Sequence, residues 1–253
     1  MKKFIIPCMI LLLSSCAETN FYQVYKTNFN DGALTKEKIV FEDNNCSVSY
    51  NLWLEGGNMG FVMYNKTENY LTVNLAKTFF VLNGIAYEFF QNRTFYPSSN
   101  ATVANLPGNS RNNLNNELTK GTATSSLDFS TAFIEKPVLT IPPKTSINIS
   151  GYIIATSRYV DCGLLKYPTK KSMKTIAFDN TSSPFTFYNI ITYAVKGDTS
   201  KLENRFYVSE ITNYPSSEMF KTVDTSICGG KLDAPIDVFK NMTPDKFYIK
   251  YSK

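Results

Sequence analysis

The chain has 253 residues, 26 Lys and Arg against 21 Asp and Glu, a formal charge of +5, and no histidine. The missing histidine excludes Ser-His-Asp and Cys-His catalysis, histidine acid–base chemistry and nearly all catalytic zinc sites. What remains open to an enzyme is carboxylate chemistry, such as the paired acids of glycoside hydrolysis.

The first sixteen residues form a distinct segment. Lys2 and Lys3 precede an apolar run over 4–13, which has the layout of an export signal and is too short to span a bilayer, since a spanning helix needs about 20 apolar residues. Leu13-Ser14-Ser15-Cys16 follows. This aliphatic, small, small, cysteine pattern resembles the lipobox of bacterial lipoproteins. The resemblance covers these sixteen residues alone. It implies cleavage by signal peptidase II before Cys16, a diacylglyceryl group on the Cys16 thiol, and a protein anchored to a membrane rather than spanning it. With Ala17 rather than Asp after the cysteine, it further implies the outer membrane of a Gram-negative cell. Cys16-Ala-Glu-Thr-Asn20 leaves periplasmic and surface-facing placement both open. Removal of 1–15 lowers the charge to +3, with 24 basic and 21 acidic residues.

The remaining 238 residues (253 less 15) can bury a large core. They are rich in Phe, Tyr, Asn, Ser and Thr, a composition suited to strands joined by polar loops. Residues 16–28 read as lipidated N-terminus, tether and first strand, and 38–42 as a second strand. From 46 to 90 the pattern is strand after strand. Cys46, Val48, Tyr50, Leu52 and Leu54 alternate on one face, and Gly56-Gly57-Asn58 and Asn83-Gly84 read as hairpin turns. Further strands are expected over 61–64, 70–75, 78–82 and 85–90.

Residues 97–126 are dominated by Asn, Ser, Thr and Gly, with too little apolar surface to offset their ordering entropy. They read as a long polar loop or a partly disordered insertion, with plain disorder favoured over a specificity loop. Strand character resumes over 129–134, 137–144 and 146–154. There, Ile141-Pro-Pro-Lys144 is similar to a turn in immunoglobulin-like domains of bacterial exported proteins that introduces a strand packed across the sandwich. In 185–195 both alternating faces are largely apolar, which predicts a strand covered on both sides. The segments 174–178 and 204–213 are also strand-like, and the short apolar pieces 236–239 and 247–251 read as an edge strand or a helical turn.

No motif marks a reaction. Glu55, Glu88, Asp128, Asp161 and Asp179 are the candidate acids, each explained more cheaply by a solvated strand end. No phosphate loop, dinucleotide fingerprint or EF-hand occurs. Three cysteines remain after Cys16. Cys46 reads as a buried small hydrophobe. Cys162 and Cys228 sit at turn-like positions and form the candidate disulfide, and the spacing of the three does not suit a metal. The basic stretch 166–174 reads as a solvated loop face rather than a phosphate or nucleic-acid site. Aromatic residues at 89–90 and 95–96, beside the insertion, are candidates for exposed contact area.

The sequence therefore predicts an all-β, immunoglobulin-like sandwich over 29–253 with the insertion at 97–126. It predicts no catalytic residue, cofactor or metal, and no nucleic-acid partner. The expected role is a non-enzymatic envelope lipoprotein for binding, adhesion or assembly, with an unknown protein or glycan partner; the alternative is a histidine-free carboxylate glycan hydrolase.

Overall fold

A computed structural model describes residues 19–95, 133–223, 226–227, 230–231 and 235–253. The expected signal, Cys16 and the 97–126 insertion lie outside them. The strands, in chain order, are β1 (Asn20–Phe29), β2 (Ala33–Leu34), β3 (Ile39–Glu42), β4 (Cys46–Tyr50), β5 (Phe61–Asn65), β6 (Leu71–Asn74), β7 (Phe79–Leu82), β8 (Ile85–Glu88), β9 (Thr94–Phe95), β10 (Phe133–Ile134), β11 (Val138–Ile141), β12 (Ser146–Ile149), β13 (Thr175–Ala177), β14 (Thr186–Val195), β15 (Asp198–Pro215), β16 (Phe220–Val223), β17 (Ser226–Ile227), β18 (Gly230–Lys231), β19 (Ile236–Phe239) and β20 (Lys246–Ser252).

The long strand β15 is the spine. Its first half pairs with β14 and its second half with β1 on the other side, while β13 takes the place of β14 beside residues 210–212. The large sheet runs β11-β6-β14-β15-β1-β20, all antiparallel. β6 and β7 share one row along β14, pairing with Tyr193 and Asn189 respectively, and a 3-10 turn over Leu75–Lys77 interrupts the row. Thr192 closes the gap: its N–H donates to Thr78 Oγ1 at 3.2 Å and its hydroxyl to Lys77 O at 2.6 Å. β8 returns along β7 through Asn83-Gly84, both at positive φ, where glycine is free of Cβ strain.

The smaller sheet, β12-β5-β4-β3-β2, faces the large one. Alternation makes the core between them. Val48, Tyr50, Phe61 and Met63 from the small sheet meet Tyr25, Phe187, Ile191, Phe206 and Phe247 from the large one in one continuous buried cluster. Each such side chain contributes about 1.5–3 kcal/mol by leaving water. Polar groups inside this layer are mostly bonded: Tyr50 donates to Asn204 Oδ1 at 2.8 Å, and Asn189 Nδ2 to Met59 O at 3.0 Å, while Asn189 Oδ1 has no partner. The expected all-β sandwich is the architecture found.

The chain crosses between sheets twice at one corner, from β5 to β6 and from β11 to β12, the latter through Pro142-Pro143-Lys144 as the sequence pattern suggested. Buried Asn65 ties both crossings. Its Nδ2 donates to Asn69 O, Ile141 O and Pro142 O, and its Oδ1 accepts from the N–H and hydroxyl of Thr67.

Three local expectations differ. The strand from Cys46 ends at Tyr50, and Leu54 is exposed. Gly56-Gly57 is not a hairpin turn but part of a ten-residue connection over 51–60. Gly56 N–H donates to Tyr248 O at 2.8 Å, and its carbonyl accepts from Ile154 and Ala155 at 2.9 Å each. These longer-range bonds decide its course. β14 is buried on the face carrying Phe187 to Tyr193, but Tyr188 and Ile190 on the other face are half-exposed among the described residues.

Candidate functional site

The ends of the insertion meet as a neck. β9 and β10 pair antiparallel, Phe95 with Phe133 and Thr94 with Ile134, so residues 96–132 leave and return through this two-stranded ribbon. A two-residue ribbon is marginal alone; a buried carboxylate holds this one. Glu135, whose side chain is only 6% exposed, pairs with the Arg93 guanidinium through both Nε and Nη2. Its other oxygen accepts the N–H groups of Gln91 at 2.9 Å and Arg93 at 3.2 Å. Burial works against the charged form of Glu135, but the guanidinium and the two N–H donors outweigh it and hold the carboxyl below the usual range. The clamp joins residues 42 positions apart, across the whole insertion.

Beside the neck lies a cleft of about 210 Å³ lined by Phe89, Gln91, Arg93, Ser150, Gly151 and Tyr152. Aromatic stacking shapes its wall. The Tyr152 ring stacks on Phe80 with centroids 5.4 Å apart and meets Tyr87 and Phe89 at 5.7 Å. Its hydroxyl donates to Glu88 O and accepts from Gln91 Nε2. Gly151 forms the floor, where a Cβ would come within 2.0 Å of Gly60 N, so only glycine fits this close backbone approach. On β8 and β10, Ile85 (60%), Tyr87 (40%) and Ile134 (65%) expose apolar surface.

Of the five acids picked out by sequence, the four that are described do not gather here. Glu55 and Glu88 are exposed, and Asp128 lies outside the described residues. Asp161 accepts the Gly163 N–H at 2.6 Å. Asp179 accepts both N–H and both hydroxyl groups of Thr181 and Ser182, which lower its pKa to about 2. Both are turn-forming acids. Among the described residues, no three of His, Cys, Asp and Glu stand close enough to hold a metal ion. Cys46 is fully buried, as expected, and burial pushes its thiol pKa up, with the neighbouring Asp43 carboxylate adding to the effect. Cys162 is exposed, and Cys228, its expected partner, lies outside the described residues. Of the aromatics expected at the insertion, Phe89 is buried and Phe90 half-buried, whereas the Phe95 side chain and Tyr96 lie outside the described residues; Tyr87 and Ile134 are exposed.

Sequence reasoning missed Glu135, Arg93 and Tyr152. Nothing local marks them: a single Glu before a Lys, and a single Arg after an Asn, acquire meaning only when the ribbon brings them together. Compared with protein-family models, curated proteins and solved structures, the chain finds no match.

Proposed function

We propose that this chain is a non-enzymatic lipoprotein of the bacterial envelope, tethered through Cys16, that binds a macromolecular partner with the insertion and the neck edge beneath it. One observation carries the reading: the Glu135–Arg93 clamp spends a buried charge on fixing the base of a polar insertion. A preorganised base lowers the ordering cost of binding, and exposed Ile134, Tyr87 and Ile85 beside an aromatic cleft supply contact area. The carboxylate-hydrolase alternative gains no support from where the candidate acids lie.

The test compares three full chains in cells, extracted in mild detergent and sized: wild type, Cys16→Ser, and a chain with 97–126 replaced by a short Gly/Ser link. The reading expects wild type to be membrane-bound and larger than one copy. It expects Cys16→Ser to lose membrane attachment, and the loop-replaced chain to stay attached but run at the size of a single copy. A loop-replaced chain of wild-type size removes the binding reading. Unchanged attachment of Cys16→Ser removes the anchor.

A further inference from the structure

Residues 151–174 form a strap across the end of the large sheet where β1 begins and β20 ends, and a neutral network pins it. Gln23, fully buried in β1, donates to Tyr159 O at 2.9 Å and to Asn213 Oδ1 at 2.8 Å, and its own oxygen accepts the Tyr159 N–H and the Tyr25 hydroxyl. Asn213 Nδ2 donates to Leu165 O at 2.9 Å. Tyr167 packs on Phe21 at 5.1 Å, and the Tyr251 hydroxyl donates to Lys166 O at 2.6 Å.

What this rigid strap turns outward is neither a polar loop nor a core. Leu164 points inward, whereas Val160 (70%) and Leu165 (50%) are exposed. Around them stand Arg158 over the Tyr251 ring at 5.6 Å, and Lys166 and Lys253 over the Tyr167 ring at 4.9 and 5.7 Å. Lys171 and Lys174 on the same strap are exposed, and Lys170 pairs with Glu218. Among the described residues, the acids of this region include Asp161, turned to the Gly163 N–H, and Glu218, paired with Lys170. Apolar tips, tyrosine rings and cations together fit the boundary between headgroups and acyl chains.

Position supplies the occupant. Lys253 N–H donates to Thr19 O at 3.2 Å, so the chain enters the fold at this patch. Cys16 is three peptide units earlier and can lie no more than about 11 Å away. Resting on the lipid-anchor reading, we infer that the strap face of Val160, Leu165, Arg158, Lys166 and Lys253 docks on the bilayer bearing the anchor, with Val160 and Leu165 entering it and the cations meeting anionic phospholipid headgroups. The basic stretch at 166–174, expected to be a solvated loop face, is then part of a membrane-facing surface, and the domain is held in one orientation rather than swinging on its tether.

The experiment places the purified full lipoprotein in vesicles of phosphatidylcholine with phosphatidylglycerol, part of the lipid brominated on its acyl chains. Leu165→Trp adds an indole at the patch, read as the difference from the chain bearing Trp53 alone. The expected result is strong quenching of the added indole, reduced roughly twofold or more by Lys166→Glu with Lys253→Glu, or by omitting phosphatidylglycerol. Flotation of the same vesicles is measured in parallel. Protein that floats with an unquenched indole overturns the docking while leaving the anchor intact. Protein that does not float overturns the anchor, and the docking with it.

Discussion

Two loops on opposite edges of one sheet are fixed by opposite chemistry. At the β8/β11 edge the neck of the insertion is held by an ion pair, Glu135 with Arg93, and by charge-assisted bonds to two backbone N–H groups. At the β1/β20 edge the strap is held by neutral groups, the Gln23 and Asn213 amides and the Tyr25 hydroxyl. A neutral network in a dry core is insensitive to pH and salt. A clamp whose cation is 38% exposed is sensitive to both. The strap behaves as part of the core, and the neck as a separately tunable joint.

The largest effect expected from breaking this contrast is at the strap. Gln23→Ala takes the Gln23 partner from the Tyr159 C=O, the Asn213 Oδ1 and the Tyr25 hydroxyl proton in a buried layer, while the Tyr159 N–H keeps the Tyr25 hydroxyl at 2.9 Å, at a cost of about 3 kcal/mol. It should lower the thermal midpoint by roughly 10 °C, at about 2–4 °C per kcal/mol for a chain of this size. A drop under about 2 °C would show that the network is dispensable. Glu135→Ala should be milder globally and sharper locally. It removes the acceptor of two backbone N–H groups, costing about 2 kcal/mol discounted for solvent at Arg93. The midpoint should move little, while limited proteolysis should cut at 89–95 many times faster; unchanged cutting contradicts the clamp.

Acid separates the edges next. Because the Glu135 carboxyl is held below its ordinary value in the folded chain, its stabilisation is complete above the unfolded value near 4.5 and is lost as pH falls through the lower folded value. Amide exchange at Gln91 and Arg93 should accelerate between pH 5 and pH 3, once corrected for intrinsic rates, while exchange at Tyr159 should not. The opposite order would reverse the assignment of charged and neutral fasteners. Salt is the smallest lever: 0.5 M NaCl should loosen the neck by a few tenths of a kcal/mol and leave the strap unchanged, measured by the same exchange.

What could be read in the sequence follows from range. Cys46, Val48 and Tyr50 alternate, and the register of β4 with β5 obeys that alternation. Asn83-Gly84 writes its turn in two residues, and Pro142-Pro143 stops a strand locally. Gly56-Gly57 carries the same local signal as a turn, yet bonds to Tyr248 and Ile154 from distant segments send it elsewhere. β6 and β7 look like separate strands until Thr192, over a hundred residues on, bridges the 3-10 turn between them. The candidate site was legible as a region but not as residues. Polar composition marked the insertion, whereas Glu135 and Gln23 each look like solvent-facing residues, and only the fold surrounds them with partners. The outer face of β14 misled for a related reason: apolar residues there suggest a covering layer, yet Tyr188 and Ile190 are half-exposed among the described residues.

The most direct test of the account is a paired photo-crosslinking measurement in intact cells. A photoreactive phenylalanine analogue replaces Ile134 at the neck in one strain and Leu34, equally solvent-facing on β2 of the small sheet, in another (65% and 52% exposed). The account predicts a discrete adduct from position 134, lost when 97–126 is replaced by a short link, and none from position 34. Equal adducts from both positions, or an adduct at 134 that persists without the insertion, would contradict it.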